Sequence, residues 1–160
     1  MAKRSSKALP TPEGAGDRKL LADVKKFGWH VIKVAPDDEG PAFAYSIGTY
    51  HSFQHPEFVI FGLDVTNMHR MINAIGEAIR SGSRFSDGDE SDAALEGYNV
   101  LFRRVEIRHY REHFGYARWF YQGDEFPVLQ CLWPDSKHRY PGNRRFDASP
   151  KGLQPALYVN

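Results

Sequence analysis

The chain places histidine beside acidic residues in a short segment that could carry chemistry. His51, His55 and Glu57 lie between two apolar stretches. Imidazole and carboxylate groups bind divalent metals and transfer protons near neutral pH. A spacing of four would put both histidines on one face of a helix, but Pro56 opposes a long helix there. The segment is therefore either a metal or acid–base site, or a structured loop in which His55 and Glu57 cap backbone groups.

His109 and His113 form a second candidate metal-binding pair. Their spacing is one that zinc sites use on helices. The residues from His109 to His113 also match the inverted zincin pattern His-x-x-Glu-His. The chain lacks the length and helical content that such a protease needs. We therefore consider the two histidines as candidate metal ligands only.

Strand periodicity identifies Arg103 as a candidate anion-binding residue. Alternation over residues 101–108 places Arg103 on the same face as Leu101 and Val105. A guanidinium on an apolar face needs a partner, which is either an internal carboxylate or a ligand anion. Both alternatives stay open from the sequence.

Asp135 and Cys131 lie at the end of an apolar segment. Asp135 follows Trp133 and Pro134, where it could act as a catalytic carboxylate or cap a turn. Cys131 has no activating base nearby in sequence, so we interpret it as a small core residue.

The composition excludes several classes of protein. The chain has 160 residues, 21 Lys and Arg against 20 Asp and Glu, and a net charge of +1. This balance argues against a general affinity for nucleic acid. No apolar run reaches the length of about 18 residues that predicts a membrane span, and the basic start has no apolar stretch behind it, unlike a signal peptide. A single cysteine cannot close an internal disulfide, so we expect a cytoplasmic protein.

Periodicity and turn residues predict the elements that must position these side chains. We expect helices at 18–27, 66–82 and 109–121, strands at 29–34, 43–48, 58–63, 99–108 and 126–133, and an exposed acidic loop at 83–97. The first two strands should form a hairpin. This pattern predicts a disordered tail at 1–16 and one α+β domain at 17–160, with a mostly antiparallel sheet of about five strands. No Gly-x-Gly-x-x-Gly or Walker-type loop is present, which disfavours a doubly wound nucleotide-binding fold.

Several stretches together resemble one bacterial family, "domain of unknown function 4262", over about residues 17–159. The stretches are Gly28-Trp29-His30, Phe43-Ala44-Tyr45-Ser46-Ile47-Gly48, His55-Pro56-Glu57, Phe61-Gly62-Leu63, Phe126-Pro127-Val128-Leu129-Gln130, Trp133-Pro134-Asp135 and Gln154-Pro155. The resemblance implies a small cytoplasmic protein and carries no established activity. It implies that Tyr45, His55, Glu57 and the Trp133–Asp135 stretch occupy recurring positions of the family, as a shared site or a shared scaffold.

Three functional hypotheses follow. The first is a binding module that holds a small anionic ligand or a protein partner with Tyr45, Arg103, Trp133 and the 51–57 loop. Aromatic residues make up 14% of the chain and could line such a pocket. The second is a hydrolase, acid–base or dependent on a divalent metal, that uses the same loop, with His109, His113 or Asp135 as further groups. The third is a flavin-binding split barrel. The sequence determines neither the strand order nor the oligomeric state.

Overall fold

The computed structural model describes residues 8–148 and 152–159. Its helices are α1 (Ala15–Phe27), α2 (Thr49–Phe53), α3 (Val65–Arg80), α4 (Tyr110–His113) and α5 (Gly115–Tyr121), and a 3-10 turn covers Ile107–His109. Its strands are β1 (His30–Val34), β2 (Phe43–Ile47), β3 (Glu57–Phe61), β4 (Glu90–Leu95), β5 (Tyr98–Arg104) and β6 (Val128–Leu132). Residues 1–7 of the predicted tail lie outside the described residues. The division into a tail and a domain stays a prediction.

The strands form a single open sheet in the order β1-β2-β3-β6-β5-β4. All neighbouring strands are antiparallel except β3 and β6, which run parallel at the centre. The α+β class and the hairpin of β1 and β2 are therefore confirmed, with six strands in place of about five. Among the described residues, β1 and β4 each pair with one strand, so the sheet is open and not closed as the split-barrel hypothesis requires.

Helix α3 covers one face of the sheet. Asp64 caps the helix by accepting a hydrogen bond from the backbone N–H of Asn67 at 2.9 Å. Apolar residues spaced three or four apart then form one stripe, in which Met68, Ile72 and Ile75 are fully buried. The stripe packs against the side chains that alternate strand positions direct to this face, among them Phe58, Ile60, Val100, Phe102, Leu129 and Cys131. Cys131 is thus a buried core residue, as predicted.

Helices α1, α4 and α5 cover the opposite face, which is rich in aromatic side chains. Tyr45, Phe114 and Phe126 belong to this buried cluster. Gln130 holds the C-terminal segment against this face. Its side-chain Nε2 donates to the carbonyl of Pro155 at 2.7 Å, and its Oε1 accepts from the N–H of Leu157 at 3.1 Å. The buried side-chain amide thereby replaces a backbone partner for this segment.

Several predicted elements were wrong, among them the strand at 99–108, which ends at Arg104, and the helix at 109–121, which is divided into α4 and α5. Residues 83–97 are not simply a loop, because β4 pairs there with β5 as an edge strand. Its polar sequence gave no apolar alternation, since an edge strand of this kind is only partly buried. The predicted loop over 50–57 contains helix α2, and α1 begins at Ala15, three residues before the predicted start at Arg18.

Candidate functional site

The turn between α1 and β1 brings two charged side chains together. Gly28 ends α1 in the left-handed conformation (φ 102°), and its N–H donates to the carbonyl of Val24 at 2.9 Å. The chain then enters β1 directly, so that the last turns of α1 lie beside the edge strand. This geometry places Asp23 of α1 against His30 of β1.

Asp23 and His30 form a partly buried hydrogen-bonded pair. Oδ2 of Asp23 lies 2.7 Å from Nδ1 of His30, and Nζ of Lys19 donates to Oδ1 at 2.8 Å. Burial opposes the charged carboxylate, but the hydrogen bonds from Lys19 and His30 hold the pKa of Asp23 below its usual value. With Nδ1 engaged by Asp23, Nε2 is the ring atom of His30 that is available to another molecule.

The Trp29 side chain, just before β1, packs against α3. A Cβ on Gly76 would lie 2.6 Å from ring atoms of Trp29, so only glycine allows this approach. The indole Nε1 donates to Oδ1 of Asn73 at 3.0 Å, and the guanidinium of Arg80 lies 4.9 Å from the ring centroid. The indole and α3 thus form one rigid wall.

Between these elements lies a cavity of about 700 Å³, which we call the edge cleft. Its polar lining includes Asp23, His30, Lys33, His69 and Asn73. Burial lowers the pKa of His69, as do the nearby charges of Lys33 and His30, whereas Asp23 opposes the shift. The electrostatic interactions among these groups show that α1, β1 and α3 contribute to one cluster.

Sequence reasoning missed the edge cleft. Asp23, His30, Lys33 and His69 come from three elements, and no local spacing connects them. The only signal was the stretch Gly28-Trp29-His30, which contributed to the family resemblance.

The predicted site residue Glu57 is buried and surrounded by donors. Its Oε1 accepts from the Ser46 hydroxyl at 2.7 Å, the Thr49 hydroxyl at 2.6 Å and the Thr49 N–H at 3.1 Å. Its Oε2 accepts from the N–H groups of Gly48 and Tyr50 at 2.8 and 3.2 Å, and from the hydroxyl of Tyr121. Burial, together with the Glu57 charge, raises the pKa of Tyr121 far above its usual value. The carboxylate joins β2, α2, β3 and α5, and these contacts support a structural role.

His55 is also engaged at both ring nitrogens. Nε2 accepts from the N–H of Phe85 at 3.0 Å, so Nδ1 carries the proton and donates to the carbonyl of Pro56 at 2.8 Å. Burial lowers the pKa of this imidazole, which favours the neutral form. His51, in contrast, is exposed and packs edge-on against Phe120. These contacts agree with the structured-loop interpretation of the segment.

The other candidate metal ligands, His109 and His113, lie close together. Their ring centroids are 6.4 Å apart, and Nδ1 of His113 lies 3.1 Å from the carbonyl oxygen of His109. The His113 ring packs against Phe43 and Phe61, while Nε2 of His109 is buried without a hydrogen-bond partner. Over residues 8–148 and 152–159, no three or more His, Cys, Asp or Glu side chains are arranged to hold a metal ion.

The structure does not bring Tyr45, Arg103 and Trp133 into one pocket. Arg103 bonds to Oδ1 of Asp87 at 3.1 Å and to the carbonyl of Val159 at 2.9 Å, with its guanidinium 4.8 Å from the Tyr158 ring centroid. Tyr45 is buried in the aromatic cluster. Trp133 donates from Nε1 to the carbonyl of Phe61 at 2.7 Å and lines a separate cavity of about 280 Å³. Each of the three side chains already has partners within the protein.

Asp135 organises the loop that follows β6. Its carboxylate accepts from the N–H groups of Lys137 and Arg139 at 2.9 Å each and from that of Asp147 at 3.1 Å, and pairs with Nε of Arg139 at 2.9 Å. Burial opposes the charge, but these hydrogen bonds hold the pKa of Asp135 well below its usual range. The contacts are those of a turn cap.

The open six-stranded sheet, covered by helices on both faces, defines an α+β protein with a cleft at one sheet edge. The chain belongs to the family described as "Domain of unknown function (DUF4262)", whose model matches residues 23–147. That match includes the polar residues named above for the edge cleft. No curated protein and no solved structure matches the chain significantly. In the described part of the chain, every helix is too short or too polar to span a bilayer.

Proposed function

We propose that the protein is a binding module and that the edge cleft binds a small ligand bearing an anionic group. The observation that carries this proposal is a difference between the acidic and the basic side chains around the cleft. The carboxylates are bound by other residues of the protein, whereas two of the basic side chains are not. Lys33 and His69 form no hydrogen bond or ion pair with any residue in the described ranges. They leave two nitrogen-bearing side chains available to an anion.

The carboxylates that line the cleft already have partners. Asp23 is bound by Lys19 and His30, Asp17 accepts from the N–H of Glu13 at 3.0 Å, and Glu77 lies 3.5 Å from Nη1 of Arg80. An incoming anion would therefore meet the free ammonium group of Lys33 and the unpartnered imidazole of His69, which a bound anion would help to protonate. This is the charge pattern of an anion-binding site rather than of a cation-binding site.

The size and apolar lining of the cleft support the same proposal. Ligand sites in proteins typically have volumes of roughly 300–1,000 Å³ and place a few polar groups in a mainly apolar surface. The cleft volume of about 700 Å³ lies in this range, and Leu20, Trp29 and Ile32 contribute to its walls. The proposal thus moves the binding site from Tyr45, Arg103 and Trp133 to the edge cleft. We keep the expectation of a cytoplasmic location.

Isothermal titration calorimetry with phenyl phosphate tests the proposal, because this probe combines an anionic group with an apolar ring. We expect saturable binding that weakens about three- to tenfold in Lys33→Ala and in His69→Ala, since each change removes one charge-assisted contact. Lys25→Ala is the matched control, as Lys25 is exposed on α1 and does not line the cleft. Equal binding by all four proteins would contradict the proposal.

The pair of Asp23 and His30 favours a second candidate function, that of an acid–base enzyme. A carboxylate that holds Nδ1 of an imidazole orients the ring and leaves Nε2 to take a proton from water or a hydroxyl group. His69 could act as the second proton-transferring group. Hydrolysis of p-nitrophenyl acetate or p-nitrophenyl phosphate that disappears in His30→Gln would support this function. Activity that persists in that variant would contradict it.

A further inference from the structure

The edge cleft runs along the free edge of β1. Five consecutive residues, from Trp29 to Lys33, line this one cavity. Successive side chains of a strand point to opposite faces of the sheet, so a cavity on one face could not contact all five. The cavity therefore extends around the outer edge of the strand, between α1 on one side and α3 on the other.

The register of the sheet shows which backbone groups of β1 are free. The N–H of Gly62 donates to the carbonyl of Ala42, which makes Phe43 and Phe61 a non-hydrogen-bonded pair of β2 and β3. The N–H and carbonyl of Phe43 then point to β1, toward its partner Val34. Because this direction alternates along β1, the N–H and carbonyl groups of Val31 and Lys33 point outward.

We propose that the occupant of the edge cleft is an extended peptide that adds to the sheet as a strand beside β1. This proposal rests on the proposed function, that the cleft is a binding site, and it specifies the class of ligand. A peptide would pair its backbone with the outward groups of Val31 and Lys33, which a compact small molecule would not match. No strand in the described part of the chain pairs with this edge.

The charges around the edge specify the sequence of the peptide. A residue directly opposite Lys33 has its side chain on the same face of the sheet as Lys33. An acidic side chain at this position would neutralise Lys33 and approach the imidazole of His69; neither side chain has a hydrogen-bond or ion-pair partner in the described structure. The flanking side chains would point to the other face, where Ile32 and the exposed Tyr116 line the cleft. The partner is thus an extended segment with an acidic residue between two apolar residues.

Fluorescence anisotropy with the capped, labelled peptide Thr-Val-Glu-Val-Thr tests this inference. In an antiparallel pairing, methylation of the glutamate backbone nitrogen removes the N–H that would donate to the carbonyl of Lys33, and we expect it to weaken binding about tenfold or more. Methylation of the preceding valine nitrogen, which would face away from β1, should change affinity by no more than about twofold. Replacing the glutamate by lysine should weaken binding by about tenfold through charge repulsion.

Variants of Lys33 separate charge from backbone pairing. Lys33→Ala removes the charge only, whereas Lys33→Pro also removes the outward N–H and leaves the ladder to β2 intact. We expect Lys33→Pro to bind the peptide about threefold or more weakly than Lys33→Ala, with equal affinities of both variants for phenyl phosphate. If Lys33→Pro fails to fold, the two methylated peptides still decide the question.

The outcomes distinguish the two proposals. Binding of phenyl phosphate without binding of the peptide, or equal affinities for both methylated peptides, overturns strand addition and leaves the anion site standing. Failure of both phenyl phosphate and the peptide to bind overturns both proposals. Selective loss of binding on methylation of the glutamate nitrogen supports strand addition.

Discussion

Asp23 on α1 holds the imidazole of His30 on β1 through a contact of 2.7 Å between Oδ2 and Nδ1. This contact connects the first helix to the edge strand and sets the direction of the His30 ring in the edge cleft. Both side chains are less than a fifth exposed, with exposed fractions of 16% and 18%. The pair therefore contributes to stability and to the shape of the proposed binding site.

Replacement of Asp23 by Asn should destabilise the protein by about 1–2 kcal/mol, because it removes two charge-assisted hydrogen bonds. Urea unfolding at pH 7 measures the effect. Asp38→Asn, at an exposed position in the turn between β1 and β2, is the matched control and should change stability by less than about 0.5 kcal/mol. Equal stability of Asp23→Asn and wild type would show that the pair contributes nothing to folding.

The same carboxylate predicts an acid-sensitive step in stability. The pKa of Asp23 in the folded protein lies below the usual value of 3.8, so the folded state favours the ionised form. The resulting stabilisation is fully present above pH 3.8 and is lost as the pH falls through the folded pKa. The difference in unfolding free energy between wild type and Asp23→Asn should therefore shrink below pH 4. A difference that is constant from pH 7 to pH 3 would contradict this linkage.

Glu57→Gln should be among the most destabilising conservative substitutions in the chain, with a loss of about 2–4 kcal/mol. Both carboxylate oxygens accept hydrogen bonds from hydroxyl or backbone N–H groups. Glutamine replaces one oxygen by an NH₂ group, which cannot accept these bonds and leaves buried donors without a partner. Thermal or urea unfolding measures the loss, with Glu39→Gln in an exposed turn as the control. A loss below about 0.5 kcal/mol would show that Glu57 does not organise α2.

Gly76→Ala should distort the wall of the edge cleft. The new methyl group would overlap the Trp29 ring, and such overpacking costs about 1–3 kcal/mol. Gly16→Ala in α1 is an informative control, because no atom lies within 4 Å of its Cβ position and alanine favours a helix. We expect opposite signs for the two changes in unfolding free energy. A neutral Gly76→Ala would mean that Trp29 is not held tightly against α3.

Anion binding in the edge cleft should strengthen as the pH falls. Burial and the charges of Lys33 and His30 from β1 lower the pKa of His69, while Asp23 from α1 partly opposes them, so His69 is mainly neutral at pH 7.5 without a ligand. A bound anion favours the protonated ring, so binding takes up a proton. Affinity for benzenesulfonate, which stays charged throughout, should rise about fivefold from pH 7.5 to pH 5.5. The increase should be smaller in His69→Ala, and an unchanged increase would exclude His69 from the site.

The sequence predicted the parts of the fold that local patterns determine. The apolar stripe of α3 and the alternation in β2 are local properties, and the elements formed as expected. Strand β4 was missed because its stability comes from pairing with β5 rather than from its own apolar alternation. Helix α2 was missed because its first N–H groups are bound by Glu57, a residue from the following strand.

The candidate site was less accessible to sequence reasoning because its residues meet only in the folded chain. His55 and Glu57 stood out by composition, and the structure places both in hydrogen-bond networks within the protein. Asp23 and His69 lie on different helices, and neither has a recognisable motif. Their proximity depends on the turn at Gly28 and on the packing of Trp29 against α3.

The site of phenyl phosphate binding can be mapped by following backbone amide signals in ¹⁵N NMR spectra during a titration. We expect the largest shifts to cluster in β1 and in the first two turns of α3, around Lys33 and His69, and to saturate with one dissociation constant. Shifts centred on Arg103 or on the 51–57 loop, or no saturable shifts at all, would contradict the assignment of the edge cleft as the binding site.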